Sequence, residues 1–275
     1  MQPKNELLIS KTWIQAIALV GLCGFSILGI LAYRTYTDAP PIPDRVVSPN
    51  GELIFTGDDV KAGQEIFLKN GLMEYGSIFG HGGYLGPDYT ADYLHRAALF
   101  AGEQGDAQGV VADFKANRYD GTTGVLTYSA AQAEAFRKLI PHYGEFFAAP
   151  DTRNGLLPYA IKDPLQIRQL TAFFSWSAWC ASALRPQLSY SYTNNWPPEP
   201  LVGNSPTADA VVWSVLSLIV LLGGIGLLLA AFGRWNFLGW HGREDRAVAF
   251  RPPDTVDLTP AQRSCAWFFL IMAVL

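Results

Sequence analysis

Side chains able to bind a metal or move a proton concentrate in one stretch, Asn70 to His95, NGLMEYGSIFGHGGYLGPDYTADYLH. His81 and His95 invite a metal reading. Thirteen residues separate them, and no acidic or thiol neighbour stands at ligand spacing. A solvent-facing or interface histidine is therefore the stronger expectation. His142 in LIPHYGEF and His241 in GWHGRED stand alone. The second shares its segment with Arg243 and Arg246, which fits lipid headgroup contact. Glu65, Glu74, Asp88 and Asp92 can exchange protons, but their spacing prescribes no relay, and a solvated face is expected. Cys23, Cys180 and Cys265 form no pair at motif spacing and read as small buried hydrophobes. Glycines at 76, 80, 82, 83 and 86 disfavour regular structure and permit tight approaches. Such a glycine-aromatic surface suits wrapping something flat or lying against something large.

The elements that hold this stretch follow from composition. Charged residues make up only 16% of the 275 residues, against about 25% in an ordinary soluble domain. The deficit points to a membrane. The net charge of -4 supplies no basic surface for nucleic acid. Between Lys11 and Arg34 lie 22 residues without a charge. As a helix they reach about 33 Å, enough for a hydrocarbon core of about 30 Å. The run is too long for a cleavable signal peptide and lacks a clear cleavage site, so a retained anchor is expected. A second apolar run lies between Asp209 and Arg234, with Gly223, Gly224 and Gly226 inside it. Neither span carries a carboxylate or histidine, so both read as scaffold. A third run, CAWFFLIMAVL, starts at Cys265 and is read as the start of a helix that continues past residue 275.

Arg234, Arg243, Arg246 and Arg251 follow the second run, and no Lys or Arg occurs in the 20 residues before Asp209. The positive-inside rule then places the segment after the second span in the cytoplasm. The expected organisation is a cytoplasmic N-terminus (1–11), a transmembrane helix (12–34) and an extracytoplasmic region (35–206). A second transmembrane helix (207–233), a cytoplasmic link (234–263) and the start of a further helix (264–275) complete it. Trp196, Trp213, Trp235 and Trp240 fall near the boundaries and are expected at interfaces.

Within the outer region, Pro-rich residues 35–50 read as an extended tether and ELIFTG as a short strand. Thr56 or Asp58 caps a helix over VKAGQEIFLKNG, with Val60, Ile66 and Phe67 inward and Gly71 closing it. Helical character resumes over ADYLHRAALFAGEQGDAQGVVADFKANRYDG. YSAAQAEAFRKLIPHYGEFFA reads as an amphipathic helix interrupted by Pro141. DPLQIRQLTAFFSWSAWCASAL reads as a helix with a packed or interfacial aromatic face, and RPQLSYSYTNNWPPEP as a polar, aromatic loop. The fold class is a mainly α membrane protein.

At this point the sequence resembles a known family. GQEIF (63–67), LMEYG (72–76) and IFGHGGYLGPDY (78–89) run in the order of the cytochrome c subunit of nitric oxide reductases. There a helix ending in GQEIF precedes a C-x-x-C-H haem-attachment site and a loop of the form LLGEGAYFAPEL. Here Leu72 and Tyr75 stand at the two cysteine positions and Gly76 at the histidine position. A thioether-linked haem needs both thiols and an axial imidazole, so no haem c is expected. That departure is itself similar to the quinol-dependent nitric oxide reductases, single-chain members of the haem–copper oxidase superfamily. SWSAWCASALRPQLSYSYTNNWPPEPLVGNSPTADAVVWS resembles their link to the next helix.

The resemblance implies an inner-membrane, multi-pass enzyme, N-terminus cytoplasmic and large domain periplasmic. Electrons pass from quinol through haem b to a centre of haem b3 and non-haem iron, with metal ligands on helices after residue 275. It implies that the glycine-aromatic loop packs on the chain's own C-terminal catalytic domain. It also implies a calcium ion held partly by the Gly82 carbonyl and Tyr84; a packing role for Tyr84 and a turn at Gly82 are the equal alternative. No catalytic residue is expected within the 275. Membrane lipid, quinol and a second copy in a homodimer are the expected partners. A non-catalytic docking module and a dioxygen-reducing member of the same superfamily stay open.

Overall fold

A computed structural model describes residues 11–103 and 105–235. Among the described residues, Gln15–Ser217 forms one compact unit. In chain order the first helices and strands are α1 (Lys11–Thr37), β1 (Arg45–Val47), β2 (Leu53–Thr56) and α2 (Gly57–Lys69). The hairpin strands β3 (Ser77–Ile78) and β4 (His81–Gly82) follow, then α3 (Tyr89–Gly102) and α4 (Ala107–Lys115). The rest are β5 (Tyr119–Asp120), β6 (Val125–Thr127), α5 (Ala130–Ala148), α6 (Pro164–Ser182) and α7 (Ala208–Trp235).

α1 and α7 each hold an apolar window, Ile17–Thr37 and Ala208–Leu228, of mean hydropathy 1.9 and 2.5, and neither window is buried at all. Apolar helices of that length that the protein leaves bare are not core helices; lipid is the solvent that covers them. The chain is thus a mainly helical membrane protein. Cys23 lies exposed on α1, which corrects its expected burial, whereas Cys180 is fully buried in α6.

α2 starts where local chemistry dictates. Thr56 takes the cap: its hydroxyl accepts from the Asp59 amide at 3.2 Å, and Asp59 accepts from the Thr56 amide at 2.9 Å. Val60 and Phe67 are buried, Ile66 packs beside them, and Gly71 leaves the helix in the left-handed region at φ 61°. α6 has Asp163 at its cap and Pro164 in its first turn. From Leu170 onward it is buried almost throughout, so its aromatic face is packed inside the domain and not interfacial. α2, α3 and α5 all pack on it. The closest approach is at Gly63, where a Cβ would overlap the Gln169 carbonyl and lie 2.8 Å from Phe173 Cβ.

Three expectations are corrected. The 35–50 tether is not merely extended: α1 continues to Thr37, and β1 pairs antiparallel with β2 and parallel with β6. The resulting sheet, β2-β1-β6-β5, buries Val46, Phe55 and Leu126. Trp176 Nε1 donates to the Pro41 carbonyl at 2.9 Å and ties down the connection. α5 is not interrupted by Pro141. A proline removes one helical hydrogen bond, but Phe136, Leu139, Tyr143 and Phe147 on the same helix are all buried to 2% exposure or less. Their packing outweighs the lost bond. The glycine-rich stretch also gains regular pieces, a 3₁₀ turn over Leu72–Glu74 and the β3–β4 hairpin.

The core is a nest of rings around α6. Phe174 stacks on Tyr89, with centroids 4.7 Å apart, and meets Tyr143 edge-on at 5.0 Å. Phe67 closes edge-to-face on Tyr89 at 5.7 Å. Such pairs add about 0.5–1.5 kcal/mol each beyond the area they bury.

Candidate functional site

The stretch from Leu72 to Tyr89 folds back on itself and is fastened from three sides. Its tip is a two-residue turn, Phe79 at φ 54° and Gly80 at φ 80°, between β3 and β4. Two left-handed residues match the twist of a tight hairpin. Asp88 serves as the inner clamp. One carboxylate oxygen caps α3 through the Ala91 amide at 2.9 Å, and the other accepts from Ser77 Oγ at 2.8 Å and the Gly80 amide at 2.6 Å. Thr90 links the turn to α6: its hydroxyl accepts from the Phe79 amide at 3.2 Å and reaches Ser177 Oγ at 3.1 Å. From the far side, Trp196 Nε1 donates to the Phe79 carbonyl at 2.9 Å. Trp196 therefore pins the loop and is not simply a boundary marker, as its place in the sequence implies.

The three positions of the haem-attachment spacing lie at the base of this fold. Leu72 is fully buried in the core, and Tyr75 is half-buried. Gly76 is buried, and a Cβ there would lie 2.5 Å from the Pro87 carbonyl oxygen and 2.6 Å from the Tyr89 ring. An imidazole at 76 has no room, and neither 72 nor 75 offers a thiol. These residues do not fit a covalently held haem.

Calcium fits only in part. Gly82 sits in β4 opposite Ser77, and Tyr84 projects into solvent at 90% exposure. A calcium shell takes six to eight oxygens. The loop offers the Gly82 carbonyl and the Tyr84 hydroxyl, while both oxygens of nearby Asp88 are engaged. Among the described residues no group of three or more His, Cys, Asp or Glu gathers. The loop alone does not make the site.

The other sequence candidates are distributed. His81 is exposed, and Glu65 and Glu74 are exposed as a solvated face demands. Asp88 and Asp92 are not on that face. Asp92 accepts from Arg96 Nε at 2.9 Å and from the Tyr143 hydroxyl at 3.0 Å. His142 Nε2 lies 3.9 Å from Asp92; burial, then the Arg96 charge, lower its pKa. His95 finds its acidic partner far along the chain, with Nδ1 3.0 Å from Glu199 Oε2. Trp213 is exposed on α7, whereas Trp240, His241 and Cys265 lie outside the described residues, as does the side chain of Trp235.

Two groups escaped the sequence reading. Glu199, buried, also accepts from the Leu201 amide at 3.0 Å and so holds the 199–204 turn against α3. Lys115 reaches Asn204 Oδ1 at 2.6 Å and Asn195 Oδ1 at 3.2 Å, and burial lowers its pKa to about 8. No local signal marks either one. The loop, its clamps and the ring-filled core behind them make one closely fastened surface.

These features describe a membrane protein in which a mainly helical domain follows one apolar span and precedes another. The family model for the NorB cytochrome c-like domain of nitric oxide reductase matches residues 43–110 and 101–198, more than half of the chain, and the chain belongs to that family. No curated protein matches it.

Proposed function

We propose that this chain is the anchor and haem-free docking part of a quinol-dependent nitric oxide reductase. In that reaction two nitric oxide molecules take up two electrons and two protons and give nitrous oxide and water. Haem b, haem b3 and non-haem iron supply the redox chemistry, and their ligands belong to further helices of the enzyme. The domain between the spans lies on the periplasmic side, and its loop around Gly82 and Tyr84 rests on the catalytic domain. Any calcium at that contact takes its remaining oxygens from there.

One observation carries this reading: the haem-attachment positions of the cytochrome c subunit that the sequence resembles are occupied here by Leu72, Tyr75 and Gly76, and the space beside Gly76 is taken by Pro87 and Tyr89. A domain that cannot hold a haem cannot relay electrons from a soluble donor, which favours delivery from within the membrane. The bare spans, Ile17–Thr37 and Ala208–Leu228, support the same conclusion.

The test uses the full-length enzyme. A haem stain after denaturing electrophoresis should be negative, and anaerobic nitric oxide consumption should follow quinol and ignore reduced soluble cytochrome. Turnover only with the soluble donor sinks the quinol assignment. Dioxygen consumption without nitric oxide consumption sinks the reaction assignment. Loss of calcium from Tyr84→Phe enzyme, with tight retention in the unmodified protein, supports the calcium contact; equal calcium content removes it.

A further inference from the structure

Two clefts meet at the first turns of α7, both within the Gln15–Ser217 unit. One, of about 450 Å³, is apolar along Trp196, Pro206, Val211 and Val215. The other, of about 470 Å³, is lined by Tyr190, Thr207, Asp209 and Trp213. Asn194, Ala210 and Ser214 border both. The clefts thus share a wall and together offer a seat with a polar and an apolar half.

The seat is built from fixed parts. Asn194 and Asn195 hold left-handed φ values of 55° and 59°. Lys115 holds the Asn195 side chain, and the Thr207 amide donates to the Asn194 carbonyl at 3.3 Å. Trp196 is fastened to Phe79 as described above. The apolar window of α7 begins at Ala208, inside the seat, so the seat lies where the span leaves the folded domain. That depth is the membrane–water boundary, where aromatic side chains such as Trp213 and Tyr190 are at home. Asp209 makes no ion pair among the described residues and is one of the residues that line the polar half.

The geometry points to a seat for one aminophospholipid of the phosphatidylethanolamine class, drawn from the leaflet that faces the folded domain. The acyl chain near the glycerol lies along Trp196, Val211 and Val215. The ammonium group sits on Asp209, and the phosphate oxygens accept from the Asn194 side-chain amide, whose backbone N–H is given to the Ser191 carbonyl, and from the Tyr190 hydroxyl. A quinol can offer Asp209 a hydroxyl but no cation, and an anionic headgroup is repelled by its charge. The inference rests on α7 being a membrane span and is independent of the electron donor.

Native mass spectrometry of the full chain, released from nanodiscs of equal phosphatidylethanolamine and phosphatidylglycerol, tests it. The wild type should retain the ethanolamine lipid preferentially. Asp209→Asn should lower that retention about twofold to fivefold and leave phosphatidylglycerol unchanged. Val211→Trp fills the apolar half and should lower retention of either lipid, with the thermal midpoint confirming that both variants fold. Equal ethanolamine-lipid retention in the wild type and both variants overturns the inference. So does cryo-EM density in the seat for a quinol or for another segment of the chain. The haem stain and donor assays above read a separate question, so either reading can fail alone.

Discussion

The ring of Tyr89 lies face to face with that of Phe174, 4.7 Å between centroids and 9° between planes, and the same Tyr89 ring closes the space beside Gly76. One tyrosine therefore completes the core and excludes a side chain from the position of a haem-ligating histidine. Burial pushes its phenol well above the usual range, so it stays neutral and packed at ordinary pH.

Gly76→Ala should cost about 1–3 kcal/mol, because its Cβ meets the Pro87 carbonyl oxygen and the Tyr89 ring, which is buried and stacked on Phe174. The combined change Leu72→Cys, Tyr75→Cys, Gly76→His should give no covalent haem when expressed with a haem-attachment system. A stained band of the correct mass would refute this account of the emptied site.

Gly63 sets the spacing of α2 against α6. Gly63→Ala should lower stability by about 1–3 kcal/mol, measured by the thermal midpoint in detergent. Gly102 is the matched control, at the end of α3 with nothing within 4 Å of a Cβ. Gly102→Ala should raise stability by about 0.4–1 kcal/mol. Equal effects at the two sites would show that close approach at Gly63 is not the cause.

Lys115 gives a pH signature. Its pKa falls from 10.5 to about 8 on folding because burial penalises the ammonium. Between those values the unfolded chain binds more protons, so this group makes stability rise with pH. The midpoint of the wild type should therefore gain on that of Lys115→Gln from pH 8 to 9.5. The window stops there because Tyr89, Tyr128 and Tyr143, all raised by burial, act oppositely above about pH 10. A gap between the two proteins that stays flat or narrows would disprove the assignment.

Glu199 and His95 form an unequal pair. Glu199→Ala strands the Leu201 amide and should cost about 1–3 kcal/mol. His95→Ala removes a half-exposed partner and should cost about 0–1 kcal/mol. Denaturation midpoints of the two variants decide; a larger loss for His95→Ala contradicts the role given to Glu199.

What could be read in advance was local. Thr56, one of the two caps offered for α2, is marked by the residues that follow it, and the turn at Gly71 needs only one glycine. The spans could be read because lipid imposes a length and an uninterrupted apolar run. The failures were non-local. Nothing beside β1 in the chain announces β6, with which it pairs in parallel. Pro141 reads as a helix breaker until the packing of its neighbours along α5 is known. Asp88 reads as a solvated acid until Ser77 and Gly80 turn back onto it.

The sequence by itself determined the membrane spans, the helical class and the absence of thiols and imidazole at 72, 75 and 76, because each depends on residue type and short-range spacing. Tertiary structure alone decided that position 76 has no room for a side chain, and that Trp196, 117 residues away, holds the Phe79 turn. It likewise placed Glu199 against His95 across 104 residues. These are contacts between surfaces that meet only after the chain has folded, and close packing fixes them to fractions of an ångström.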